Sequence, residues 1–221
     1  MEDPSIVPVS YSFLTDGRQK PRSAPVSLGT DVHQCLGNVA RCYEGFTLLM
    51  WLEPARRDSS VPHRYVLSSG GQSSMSTGFY VRQNYGKEYE IGVAMGTNLW
   101  TTSVHLAAGR GANLAITWSV VSGLEVFVDG FRAATDKAGK TRVFTNPSID
   151  PFTDIVAGKA NDDVTATPVE DVALWNVTFW SQKLLDTEIA AVAGKVNQTD
   201  SYLHFLLSNV SVVRCSRSRL A

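Results

Sequence analysis

Apolar and polar positions alternate along much of this chain with a period of two. In Leu114-Ala115-Ile116-Thr117-Trp118, the residues Leu114, Ile116 and Trp118 share one face. After Ser119-Val120-Val121-Ser122-Gly123, a second run places Leu124, Val126 and Val128 on one face and Glu125 and Asp129 on the other. Two such runs joined by a short Ser-Gly connection predict a hairpin, and Asp129-Gly130 turns the chain toward a further strand near Arg132–Thr135. Gly78–Gln83 reads as a strand, Asn84-Tyr85-Gly86-Lys87 as a turn, and Glu88–Met95 as the returning strand with Tyr89, Ile91, Val93 and Met95 on one face. Phe46–Leu52, Arg64–Leu67, Asp154–Ala157 and Asp171–Trp175 supply four more. Short strands at roughly ten-residue spacing, punctuated by turn signals, predict an all-β fold of two antiparallel sheets. Trp51, Trp118, Val126, Val128, Val172 and Leu174 are expected between them.

One segment departs from this period. In Asp186–Gly194, Ile189, Val192 and Ala193 recur at helical spacing. Asp186 is expected to cap a short helix and Gly194 to stop it. Residues 1–26 contain Pro4, Pro8, Pro21 and Pro25 and read as an irregular lead-in. The sandwich is expected over 27–194. Residues 195–221 form an extension with an apolar patch at Tyr202–Leu207, followed by Arg214, Arg217 and Arg219.

Composition narrows the function classes. The 221 residues carry 20 Lys+Arg against 21 Asp+Glu, a balance that argues against nucleic acid as partner. With 43% apolar and 19% charged residues the chain is not a disordered one. No run reaches the roughly 18 apolar residues of a membrane-spanning helix. The opening Met1-Glu2-Asp3-Pro4 has neither the basic nor the apolar region of a signal peptide. Yet three sequons are present, Asn176-Val177-Thr178, Asn197-Gln198-Thr199 and Asn209-Val210-Ser211, which matter only in a secreted chain. A fragment or variant of a longer extracellular protein reconciles the two. Of the three cysteines, Cys35 and Cys42 lie close together and Cys215 stands apart, so at most one internal pair forms.

Three stretches in the same order resemble laminin G-like and pentraxin-like domains. They are Cys35–Pro54, with Gly45-Phe46-Thr47 leading to Trp51; Leu114–Trp118 followed by Gly123–Gly130; and Glu170–Asn176 followed by Leu185–Ile189. The resemblance covers about residues 27–194. It implies a concanavalin A-like jelly-roll sandwich used for extracellular recognition and adhesion, as in receptor ectodomains, with a glycan or protein ligand. It also implies a disulfide between Cys35 and Cys42 closing the loop ahead of the first core strand; two buried free thiols are the alternative. Gly111 and Asn113 stand where the family carries Trp and His, and Ala115 where pentraxins carry Cys.

Pentraxins bind calcium through an acidic and amide loop, which here corresponds to Gly158–Asp163. Asn161, Asp162 and Asp163 are therefore the calcium candidates, against the alternative of a plain turn. No other cofactor is implied. Asn197, just past the helix, is the best glycosylation candidate, with Asn209 and Asn176 after it.

Glycoside hydrolases share this fold and place three acids at alternate positions of one strand, with nucleophile and acid about 5 Å apart. Glu88 and Glu90 are the nearest match, but Gly92 and Val93 follow where the third acid belongs. They are expected to be a solvent-facing pair. His33, His63, His105 and His204 are scattered, without the spacing of a zinc site or a catalytic triad. The chain is expected to be a recognition module without catalytic residues. A glycoside hydrolase on the same fold and a structural spacer are the competing readings.

Overall fold

The computed structural model describes residues 10–13, 26–30, 35, 38–54, 64–70, 77–142, 154–160 and 173–196. The strands are β1 (Ser10–Phe13), β2 (Val26–Thr30), β3 (Phe46–Glu53), β4 (Arg64–Ser68), β5 (Gly78–Gln83), β6 (Glu88–Met95) and β7 (Asn98–His105). They continue as β8 (Ala112–Ser119), β9 (Gly123–Val128), β10 (Phe131–Asp136), β11 (Lys140–Thr141), β12 (Asp154–Ala157) and β13 (Ala173–Trp180). A 3-10 turn (Val39–Arg41) precedes β3, and helix α1 (Asp186–Val196) follows β13. One sheet has six strands in the order β1-β13-β3-β8-β9-β10. The other has seven, β11-β7-β6-β5-β4-β12-β2. The antiparallel sandwich is the architecture expected from the alternation.

Period two decides which residues lie between the sheets. Leu48, Met50, Leu52, Leu114, Ile116, Trp118, Leu124 and Val126 come from the six-stranded sheet. Phe79, Val81, Tyr89, Ile91 and Val93 come from the seven-stranded one. Aromatic rings tie the layers together. Phe46 lies 5.9 Å from Phe79, 5.9 Å from Trp118 and 6.0 Å from Phe179, and Trp100 meets Trp118 edge-on at 5.4 Å. Burial pushes the Tyr89 phenol in this core above its ordinary range.

The six-stranded sheet is apolar on its outer face too, and α1 covers it. Leu184 and Ile189 pack on Leu49, Ala115 and Phe127, with Val192 and Trp180 alongside. The approach to the helix is fixed by polar contacts. The Leu184 N–H donates to the Thr47 hydroxyl at 2.8 Å, and that hydroxyl donates to the Gln182 carbonyl at 3.0 Å. Glu125, on the same outer face, lies between Lys183 and Arg132, and Arg132 reaches on to Asp186 at 2.6 Å.

Several details differ from the sequence reading. Trp51 is not between the sheets: on a strand apolar on both faces the alternation is hidden, and Leu48, Met50 and Leu52 take the inner positions. Val128 is half-buried, and Val172 lies outside the described residues. Leu185, not Asp186, occupies the helix N-cap position. The Leu185 carbonyl accepts from the Glu188 and Ile189 N–H groups, and the Leu185 N–H donates to the Glu188 carboxylate at 2.7 Å, half of a capping box. Gly194 does not stop the helix, which runs on to Val196. Within the segment read as an irregular lead-in, Ser10–Phe13 pairs with Val177–Trp180. Strand β7 was hidden because Thr102, opposite Ile91, takes an inner position where an apolar residue is expected.

Trp118→Ala removes the ring shared by both layers. Chemical denaturation is expected to show a loss of about 3–5 kcal/mol. Val121→Ala, at a fully exposed turn, is expected to stay within about 0.5 kcal/mol of the parent.

Candidate functional site

The alternation that buries Phe79, Val81, Tyr89 and Ile91 leaves Tyr80, Arg82 and Glu90 on the outer face of the seven-stranded sheet. The β5–β6 hairpin pairs Arg82 with Glu90 and Tyr80 with Gly92, and Tyr65 of β4 pairs with Arg82 from the other side. These side chains form one connected cluster. The Arg82 guanidinium donates from Nη2 to both Glu90 oxygens, at 2.8 and 3.0 Å. Its Nη1 donates to the Tyr65 hydroxyl at 3.1 Å. The Tyr80 hydroxyl donates to Glu90 Oε1 at 2.8 Å and Asn84 Nδ2 to Oε2 at 3.2 Å. The guanidinium carbon stands 5.2 Å from the centre of the Tyr80 ring and 5.9 Å from that of Tyr65, and the two rings meet edge to face at 5.9 Å.

Tyr80 has room because of Gly92. Its ring fills the space above that glycine, where an added Cβ would come within 2.2 Å of Tyr80 Cζ. Tyr80 is 3% exposed, whereas Arg82 and Glu90 keep 19% and 17% of their side chains in contact with solvent. The surface is thus a fixed mosaic of aromatic, guanidinium, amide and carboxylate groups.

Electrostatics set the protonation of this cluster. Burial pushes the Glu90 carboxyl up, but the hydrogen bonds from Arg82 and Tyr80, the Arg82 charge and the Asn84 bond outweigh it. The carboxyl is held below its ordinary value of 4.5. Burial raises the Tyr80 phenol far above its ordinary range, reinforced by the Glu90 charge. Burial alone would lower the Arg82 guanidinium, yet its bond to Glu90 and the facing phenols raise it. The expected pair of solvent-facing glutamates is therefore corrected at Glu90, which is half-buried and fully engaged. Glu88, also half-buried, faces exposed His105 across the β6–β7 ladder. Folding the hairpin about Gly86 sets Arg82 against Glu90, so the pair was readable from the turn; the partners Tyr65 and Asn84 were not singled out.

A second feature lies on the outer face of the six-stranded sheet. Trp51 and Trp175 stack at 5.8 Å with planes 14° apart, and a Cβ on Gly111 would come within 3.0 Å of the Trp175 ring. The departure from the family's Trp at Gly111 thus makes room for this stack. Asn113, facing Trp51, is buried, with neither amide atom hydrogen-bonded.

Cys35 and Cys42 are joined by a disulfide with Cα atoms 4.8 Å apart, and both are buried. Asn176 is half-buried, with φ 50° where the β13–β3 register shifts. Asn197, Asn209 and Cys215 lie outside the described residues, as do the calcium candidates Asn161, Asp162 and Asp163. Among the described residues no group of His, Cys, Asp and Glu is arranged to hold a metal ion. Nor is any helix among them long and apolar enough to cross a membrane.

A laminin G-type family model, described as the concanavalin A-like lectin/glucanases superfamily, matches residues 28–190. The chain belongs to this superfamily. No curated protein sequence matches it. Among solved structures, the botulinum neurotoxin serotype D binding domain superposes with a TM-score of 0.57 at 10% identity, over 85% of this chain and 46% of that one. The binding domain of botulinum neurotoxin DC in complex with rat synaptotagmin II gives 0.56 at 12% identity, over 87% and 48%. The same domain in complex with SialylT gives 0.54 at 11% identity, over 87% and 48%. The chain spans about half the length of these toxin domains, and the likeness is one of fold.

Gly92→Ala is expected to displace the Tyr80 ring and break its bond to Glu90. A loss of about 1–3 kcal/mol by chemical denaturation is the expected result.

Proposed function

We propose that the chain is a non-catalytic recognition module, acting outside the cell or at its surface, that binds a glycan or protein ligand. The outer face of the seven-stranded sheet, around Tyr65, Arg82, Asn84 and Glu90, is the ligand surface. The observation that carries this reading is the state of Glu90. Hydrolysis of a glycosidic bond needs one carboxyl poised to donate a proton and a second, ionised one whose oxygen is free to act as nucleophile or base. Glu90 is held ionised, and both its oxygens are occupied by three neighbours. Such a group serves recognition: it fixes a guanidinium and two phenols in place before a ligand arrives, lowering the ordering cost of binding.

Two further facts support the reading. The neurotoxin domains of like fold carry a protein, synaptotagmin II, or SialylT in their complexes. A disulfide suits an oxidising compartment, where the sequons at Asn176, Asn197 and Asn209 would be glycosylated. Calcium at Asn161, Asp162 and Asp163 belongs to the same proposal as an accessory to ligand binding.

A glycan array probed with and without calcium tests this directly. A defined set of glycans is expected to bind, and Arg82→Ala is expected to weaken the signal at least about tenfold while the fold persists. Should the array be blank, the same variant is tested against a cell-surface protein ligand captured by the parent chain. Hydrolysis of β-glucans that is lost in Glu90→Gln would overturn the proposal.

A further inference from the structure

Exposed large apolar side chains are few among the described residues: Tyr43, Tyr85, Val120, Val121, Phe131 and Leu185. Four of them gather at one end of the sandwich. Phe46 pairs with Trp118, so the Tyr43-Glu44 turn before β3 lies beside the Val120–Ser122 turn after β8. A Cβ on Gly45 would come within 2.2 Å of the Trp118 carbonyl, which shows how closely the two turns approach. The segment leading to Leu185 crosses the same corner. The Lys183 N–H donates to the Glu44 carbonyl at 3.3 Å, and Lys183 Nζ to Ser122 Oγ at 2.8 Å. Val121 is 97% exposed and Tyr43 92%. Neither contributes to the core.

Cations surround this apex. Gly123 packs so closely on the Asp136–Lys137 backbone that a Cβ would come within 2.3 Å of the Asp136 carbonyl, which sets Lys137 next to the valine turn. Lys140 follows in β11, and Arg41 lies two residues before Tyr43; all three are exposed. The acids nearby offset them in part. The carboxylate of Asp136 accepts from the Thr101 and Gly139 N–H groups, at 2.9 and 3.0 Å. Among the described residues Glu44 is an exposed carboxylate beside Tyr43, and Asp186, paired with Arg132, and Glu188 are exposed beside Leu185.

We propose that this end of the sandwich docks on a lipid bilayer bearing anionic headgroups. Val120 and Val121 enter the boundary between headgroups and acyl chains, and Tyr43 and Leu185 lie at its rim. Arg41, Lys137 and Lys140 approach the lipid phosphates and carboxylates. Three arguments favour lipid over a protein partner. Valine and leucine are under-represented among the residues that dominate protein interfaces, whereas aliphatic groups flanked by tyrosine and cations suit a membrane interface. The turn meets its own polar needs: the Ser122 N–H donates to Ser119 Oγ at 3.0 Å, and the two hydroxyls lie 2.7 Å apart. Its valines therefore leave water without stranding those groups. Finally, the exposed cations Arg41, Lys137 and Lys140 suit an anionic surface, each strengthening attraction about fivefold.

The full chain is to be floated with vesicles of phosphatidylcholine alone and of phosphatidylcholine mixed with phosphatidylserine. Binding to the mixed vesicles, and weak binding to phosphatidylcholine alone, is expected. Val121→Asp and the pair Lys137→Glu/Lys140→Glu are each expected to weaken it at least about tenfold, with unchanged circular dichroism and melting. Absence of vesicle binding by the parent chain would overturn the proposal, as would binding that both variants retain. A protein partner lost in Val121→Asp, without vesicle binding, would mark the apex as a protein contact instead. The readout is independent of the outer-sheet ligand, because Arg82→Ala is expected to leave vesicle binding intact.

Discussion

The two sheets are joined through a knot of rings centred on Phe46 and Trp118, and the rest of the molecule takes its orientation from that contact. Phe46 reaches Phe79 across the sandwich, and Trp118 meets Trp100 in the same way. Once these rings are inside, strand alternation leaves no choice about the others. A one-residue slip in β5 or β6 would bring Arg82 and Glu90 into the core and turn Val81 and Ile91 out to water, so burial fixes the register strongly. The polar cluster on the outer face is in this sense a consequence of the core. It stands where it does because Phe79, Val81, Tyr89 and Ile91 stand behind it.

The six-stranded sheet solves a different problem. Its outer face carries Leu49, Ala115 and Phe127, which need cover, and Ile189 of α1 supplies it together with Leu184 of the segment leading into the helix. Glu125 would be costly under that helix without partners. Lys183 and Arg132 provide them, and Arg132 extends to Asp186 while lying over the Phe127 ring at 5.6 Å. The bond to Asp186, ahead of the nearby Glu125 charge, raises the Arg132 guanidinium. The ionic group thereby fixes where the helix begins, and the apolar patch holds it down. Lys183 links this arrangement to the exposed apex through Ser122 and the Glu44 carbonyl.

Sequence pattern revealed most of the strands because a half-buried strand alternates, as Tyr89 and Ile91 do around Glu88 and Glu90. It failed where the physics of burial removes alternation. Phe46–Leu52 is apolar on both faces, so periodicity could not tell that Trp51 points outward while Leu52 points inward. In β7 a threonine occupies an inner position, which broke the pattern. The helix N-terminus was misjudged by one residue because Asp186 has the chemistry of a cap but spends it on Arg132. For the site, the two glutamates at alternate positions were visible, but their partners come from adjacent strands and from the turn. Three-dimensional register, not spacing along one strand, changes Glu90 from an apparent half of an acid pair into the centre of a hydrogen-bonded cluster.

The recognition surface proposed for the outer sheet depends on a central carboxylate committed to its neighbours. The most direct test is the titration of the Glu90 side-chain carboxyl carbon by NMR in the folded chain. Arg82, Tyr80 and Asn84 outweigh burial, so the midpoint is expected below the ordinary value of 4.5. A midpoint above that value would contradict the account, because it would show a carboxyl poised to give up a proton, as an enzyme of this fold requires.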